Sequence, residues 1–317
     1  AGQLLPLYIF DPRQWNSDPY GSQHYQFLRD SLEDLRMSLL KQGHILVFRV
    51  GDPAAILSSL FEEFDVDALW ASQEVGDHCA RDRDRKVTQC CSAVGIHFEQ
   101  VPQNGVIQML ENRDTWASKW HSFMLDDLVT FNAQPSSLIT RSDSMPCPTI
   151  FGLSGERNSN IQKGGRACAL ELLSSFKKTR GQHYSKEMSS PLTAFESCSR
   201  LSPHYSFGTL SVREVFQNIQ RKRKRLREDK SSHSKAWARS MSSFSSRLRW
   251  HCHFMQKFND EPRMEFENLH CGTRGLREEC FNEAFFESWK QGQTGFPLVD
   301  ASMRALKATG WINFRMR

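Results

Sequence analysis

The sequence predicts an α/β body followed by an all-helical one, on two observations. Over roughly the first hundred residues, short apolar runs alternate with amphipathic stretches, the pattern of a Rossmann-like parallel sheet with right-handed crossovers. That alternation then stops. Residues 131–165 are rich in Pro, Ser, Asn and Gly, and from 166 onward apolar positions recur at helical spacing with no convincing strand. The expected division is an α/β body over 1–130, a long connection over 131–165 and a helical body over 166–317.

Each element has its own signal. "LLPLYIF" (4–10) is a short apolar run, predicting a strand covered on both faces. Residues 22–43 place Tyr25, Leu28, Leu32, Leu35, Leu39 and Leu40 at helical spacing, and Gly43 stops the helix. "HILVFRV" (44–50) is the next strand. "PAAILSSLFEEF" (53–64) opens with Pro at a first helical position. "DALWAS" (67–72) is a third strand, residues 81–95 a helix, and "IHFEQV" (96–101) a fourth strand. In the second half, Ser211 and Glu214 are spaced for a capping box ahead of an apolar face of Val212, Val215, Phe216 and Ile219. No internal repeat is visible.

Bulk composition narrows the class. Hydrophobic residues make up 39% and charged residues 24%, too apolar for a disordered chain. No run approaches the roughly 20 apolar residues of a membrane helix, so no membrane role is expected; the expected location is cytoplasmic, with nuclear and organellar locations as alternatives. The nine cysteines include no CxxC, which predicts reduced thiols rather than zinc or disulfides. A net charge of +5 is compatible with a polyanionic partner without requiring one.

Three stretches carry more than periodicity. The first, "TGFPLVDASMRALKATGWINFRMR" (294–317), reads as a helix started by Pro297, lined by Val299, Met303 and Leu306, and ended by Gly310. The second, residues 197–215, is a Ser-rich turn running through Pro203 and Gly208 into a capped helix. Hydroxyls and backbone N–H groups there suit an anion, although most such turns are plain caps. In the third, 243–258, Phe244, Leu248, Cys252 and Met255 form one helical stripe. Arg247, Trp250, His251 and Phe254 form another, which reads equally as an amphipathic helix with a snorkelling Arg.

Together these strings resemble the photolyase/cryptochrome family. "TGFPLVDASMRAL" with "TGW" and "RMR" is similar to its signature, and the likeness extends over nearly the whole chain, including "LPLYIFDP", "LWASQEVGDHCARDRDRKV" and "VPQNGVI". The resemblance implies an N-terminal antenna domain and a helical FAD-binding domain. It implies FAD, with a folate or deazaflavin antenna pigment as a further candidate. Ser199, Arg200, Leu201 and Ser202 match the flavin-phosphate loop, with Cys198 where Thr is usual, and Tyr184 stands near the Tyr that opens the flavin site. Phe244 matches an aromatic flavin contact, and Arg317 keeps the Arg near the isoalloxazine. Trp250 matches the Trp that packs on a flipped pyrimidine pair.

There are departures from the repair enzymes. His251 stands where they carry Arg beside the flavin, Arg247 where they carry Glu against the lesion, and Phe314 where they carry Asn. Arg247, Trp250, Phe314 and Arg317 are the expected DNA-facing residues. The expected activity is blue-light-driven repair of pyrimidine dimers in DNA by a monomer, with no acid–base or nucleophilic residue. A cryptochrome-type light sensor is the alternative, and a plain nucleotide-binding α/β protein fits only the first 130 residues. The basic run 221–227 reads as a solvated helix end. In the family, a first strand precedes the position of Ala1 and further flavin and electron-transfer segments follow that of Arg317. The expectation is therefore an internal piece that holds part of a flavin site, purifies poorly and lacks bound flavin.

Overall fold

The computed structural model describes residues 2–317. Its first half runs β1 (Leu7–Phe10), α1 (Pro12–Trp15), α2 (Ser22–Leu40), β2 (Val47–Val50), α3 (Pro53–Glu63), β3 (Ala68–Ser72), α4 (His78–Ala93) and β4 (His97–Val101). The helix starts follow from side chains in the sequence. The Asp52 carboxylate accepts from the N–H groups of Ala54 and Ala55 with Pro53 in the first turn, and Asp77 accepts from Ala80 N. In α2 the face predicted from spacing is buried at Tyr25, Leu28, Leu32 and Leu39, whereas Leu35 and Leu40 point to solvent.

The sheet differs from the expectation of one continuous parallel sheet. β1 pairs with β2 and β3 with β4, both parallel, as two separate two-stranded sheets. Side chains rather than backbone hydrogen bonds join the pairs: Leu7 and Ile9 of β1, Leu69 of β3 and Phe98 of β4 pack around buried Leu57, Val87 and Cys91.

The second half is helical throughout: α5 (Trp116–Leu125), α6 (Arg166–Lys178), α7 (Tyr184–Glu187), α8 (Ala194–Ser197), α9 (Ser202–Ser206), α10 (Val212–Glu228), α11 (Ser232–Asp260), α12 (Glu283–Gln291) and α13 (Pro297–Thr309), with no strand among the described residues. Its core is centred on Phe176, Phe216, Ile219, Met241 and Leu248, and it also takes in Trp116, Trp120 and Met124. The helical core thus reaches upstream of residue 130, because the apolar face of α5 packs on α10 rather than on a sheet. At α10 only half of the expected capping box forms. Ser211 Oγ accepts from Arg213 N at 3.2 Å, but the Glu214 carboxylate is drawn to Arg166, with both contacts at 3.0 Å.

The connecting segment is strapped to the α/β body. Ser142 Oγ accepts from Phe48 N at 3.0 Å, the Asp143 carboxylate accepts from Val50 N at 3.2 Å, and Asp143 N donates to Phe48 O at 2.9 Å. These bonds satisfy the free edge of β2, which would otherwise be open to pairing. Further on, Gly164 lies so close to α2 that a Cβ there would stand 2.2 Å from Phe27 O. Ser31 Oγ accepts from Gly165 N at 3.1 Å, and the Asp34 carboxylate accepts from Arg166 N at 2.7 Å. α6 therefore begins under an acidic cap supplied by α2.

Candidate functional site

α11 organises the site. Its start is fixed by Ser231 Oγ, which accepts from Ser234 N at 3.1 Å. One stripe of this helix, Met241, Phe244, Leu248 and Cys252, is buried against the core. The opposite stripe, Arg239, Ser242, Ser243, Ser246, Arg247 and Trp250, lines an open groove of about 480 Å³. The Arg247 guanidinium lies 4.1 Å from the centre of the Trp250 ring and 6.0 Å from that of Phe314. The two rings meet edge to face at 6.2 Å, and both are exposed to solvent. A cation and an aromatic ring are thus held at the groove, with Phe314 packed against both.

The chain end delivers Phe314. The Asp300 carboxylate accepts from Thr294 Oγ1 at 2.6 Å, Thr294 N at 2.8 Å and Gly295 N at 3.0 Å. The Thr294 hydroxyl, helped by the two backbone donors, holds the Asp300 carboxyl below the usual carboxylate range. At the other end of α13, Gly310 takes a left-handed turn at φ 67 and the chain folds back. Asn313 is buried there. Its Nδ2 donates to Met188 O at 3.1 Å, and its Oδ1 accepts from Met316 N at 2.8 Å. Sequence reading missed Asn313, because nothing in helical spacing marks a residue beyond the cap. Trp311 packs against Arg200, whose guanidinium sits 4.7 Å from that ring and 5.1 Å from Phe195. Arg200 adopts φ 61, a left-handed conformation unusual for a side-chain-bearing residue.

Of the residues singled out in sequence, Arg247, Trp250 and Phe314 come together. Arg317 is exposed, and its backbone N–H donates to Asn313 O at 3.2 Å. Phe244 and Tyr184 lie in the helical core rather than on the groove, their rings 5.5 Å apart and both against Phe176. This burial follows from the inward stripe of α11. It raises the Tyr184 phenol, and nearby Arg247 pulls it partly back. His251 and Phe254 do not line the groove. His251 turns toward α9, its ring 5.6 Å from Tyr205, and burial pushes its imidazole down to about 4, so it is neutral where the resemblance implies a cation. Phe254 is exposed on the far side of Trp250, with ring centres 6.4 Å apart.

The loop before α9 has the character of a ligand cradle. Leu201 is buried and Ser199 nearly so, while Ser202 is exposed. Arg180 fixes the loop backbone from behind by donating to the carbonyls of Cys198 and, at 3.3 Å, Ser199. Burial pushes the Cys198 thiol up to about 11, so it stays protonated. On α9, which this loop opens, the Tyr205 hydroxyl is buried with no hydrogen-bond partner among the described residues. A buried hydroxyl left without a partner fits a group that supplies an acceptor, such as a cofactor bearing oxygen acceptors.

Two family descriptions match this chain. "DNA photolyase" matches residues 1–123, and "FAD binding domain of DNA photolyase" matches residues 244–317. Among curated relatives, Cryptochrome-1 of Anopheles gambiae is 26% identical over 100% of this chain and 63% of its own length. A deoxyribodipyrimidine photo-lyase of Halobacterium salinarum is 27% identical over 92% of this chain and 61% of its own. The chain thus spans less than two thirds of the length of either. Among solved structures, an archaeal photolyase from Sulfolobus tokodaii, described with two FAD molecules, superposes with a TM-score of 0.74 at 25% identity, covering 100% of this chain and 67% of that one. A Synechocystis cryptochrome superposes with a TM-score of 0.79 at 21% identity over 99% and 68%, a likeness of fold.

Proposed function

Because the chain belongs to the photolyase/cryptochrome family, in which photolyases and cryptochromes both stand among its relatives, we propose that it serves flavin-dependent, blue-light-driven repair of pyrimidine dimers in DNA. The observation that carries this reading is Arg247 and Trp250 on an open, serine-lined groove, with Phe314 packed against them. A lesion inside a duplex must leave the stack to be reached by any cofactor. An exposed indole offers the flipped bases a stacking face, and cations beside it hold the flanking phosphates.

Bound FAD supplies light absorption and the transferable electron. The chain's own residues supply position and electrostatics. The loop Ser199–Ser202 and the Tyr205 hydroxyl are the groups that would hold the cofactor, on the strength of the buried unpartnered hydroxyl. Trp250 and Phe314 exclude water from one face of the bases, and Arg239 and Arg247 bring positive charge to the groove. His251, neutral above pH of about 4, adds no charge between loop and groove.

One observation favours the light-sensor reading: the Arg247 guanidinium lies over the Trp250 ring, 4.1 Å away, on a face that flipped bases would need. Repair requires Arg247 to swing toward a phosphate. The deciding experiment is illumination of dimer-containing DNA with the flavin-loaded protein, read as dimers lost per photon absorbed. Repair above the dark control supports the proposal. Its absence, in a protein whose flavin responds to light, supports the sensor.

A further inference from the structure

We infer that Lys177, Arg221, Lys222 and Arg225 form a second binding surface, separate from the groove, whose partner is the phosphate backbone of duplex nucleic acid. The inference does not rest on lesion repair. α10 carries Asn218, Arg221, Lys222 and Arg225 at i, i+3, i+4 and i+7, so they share one side. The end of α6 meets that side where Lys177 Nζ donates to Asn218 Oδ1 at 2.7 Å. Lys178 and Lys224 add exposed charge beside it.

Two carboxylates near the ridge are engaged elsewhere, and Glu228, three residues after Arg225 on α10, forms no ion pair with it among the described residues. Glu214 is held by Arg166 through two contacts of 3.0 Å. Asp229 accepts from Ser231 N at 2.9 Å and from Ser234 Oγ at 2.6 Å. No ion pair neutralises Lys177, Arg221, Lys222 or Arg225 among the described residues. Burial lowers the Lys177 ammonium, and the charges of Arg221, Arg225 and Lys222 lower it further, which shows how closely these cations crowd. Lys222 is pinned 3.8 Å over the Trp237 ring. Trp237 and Met241 face α10, whereas Arg239, Ser246 and Trp250 lie about half a turn round α11. The ridge and the groove are therefore on opposite sides of that helix.

Helix geometry points to a duplex. Arg221 and Arg225 are about 6 Å apart along the axis, so the row sets out cations at short regular intervals, matching a backbone that carries one charge per about 3.4 Å of duplex axis on each strand. The run is not free to be read as an extended peptide, because it is helical to Glu228 and Leu226 is buried beneath it.

The test is the affinity of the full chain for an undamaged DNA duplex across a salt series, for wild type and for Lys177→Gln/Arg221→Gln/Arg225→Gln, with thermal melts confirming that both fold. Each phosphate contact contributes about 0.9 to the slope of log K against log salt, so the triple variant should lose about 2.7 of that slope. Exposed Arg225→Gln alone should lose about 0.9, which keeps the test sharp if the triple variant folds poorly. An unchanged slope overturns the inference. So does poly-glutamate that competes as well as the duplex, since the partner would then be an acidic protein. The preference for dimer-containing over intact duplex should be the same in both proteins. If wild type shows no such preference, the repair reading fails while the salt slope still decides the ridge.

Discussion

Replacing Trp250 by Ala and, separately, Phe244 by Ala tests whether α11 has one functional face and one structural face. Phe244 is 4% exposed and touches Phe176 and Tyr184 at ring separations of 4.6 and 5.5 Å. Removing a buried Phe costs about 3–5 kcal/mol through lost transfer energy and a residual cavity. Trp250 is 41% exposed, and its neighbours are Arg247, Phe254 and Phe314, each at the surface or partly so. Its removal forfeits one exposed cation–π contact of about 0.5–1 kcal/mol and some aromatic edge contact, so the stability cost should stay near 1–1.5 kcal/mol. Binding should reverse the order. Loss of one stacking partner costs about 1–3 kcal/mol per base, or about 5- to 150-fold in Kd. Urea melts measure the first quantity, and fluorescence anisotropy with a dimer-containing oligonucleotide measures the second. Equal destabilisation by the two substitutions, or unchanged dimer affinity in Trp250→Ala, would refute the division of the helix into two faces.

Arg200→Ala should cost about 1–2 kcal/mol by denaturant unfolding, from lost contacts to Trp311 and Phe195. Arg200→Gly should cost less than Ala, because only Gly holds φ 61 without strain. His251, at about 4 in the folded protein, takes up a proton more readily once unfolded. Stability should therefore fall as pH drops from about 6.5 toward 4, with a slope approaching 1.4 kcal/mol per pH unit. His251→Phe should remove that slope, as thermal melts across the range would show. Asp300 has linkage of the same sign in a lower pH window, since its carboxyl is also depressed in the fold. Asp300→Asn should lower Tm at neutral pH. The gap to wild type should close as pH falls below the ordinary carboxylate range, where wild type loses the same charge.

The parts of this molecule that could be read in sequence are those governed by neighbours in sequence. Four apolar runs became β1 to β4 within a few residues of their expected limits, because short apolar runs bounded by turn residues have few other uses, even where, as in β3 and β4, they stay partly exposed. Arg247 and Trp250 were identifiable because one helix fixes their relation. What escaped depends on residues far apart. Asn313 reaches Met188, Arg200 reaches Trp311, and Ser142 and Asp143 cover β2. None of these has a periodic signature. The burial of Phe244 and Tyr184 against Phe176 likewise joins α11 to residues far away in sequence, and only packing shows it.

The carboxylate of Asp34 over the first turn of α6 has a consequence for the order in which the chain acquires structure. Arg166 leaves the ribosome well after Asp34, so α6 emerges to find its cap already present on a completed α2. Growing the helix then needs no separate nucleus, which is the costly step for an isolated segment. The reverse holds on unfolding. Once α2 frays, α6 loses its cap together with the anchors at Gly164 and Gly165. Two bodies that look separable along the sequence are expected to melt as one cooperative unit. Hydrogen exchange should protect the first turn of α6 only as long as it protects the middle of α2.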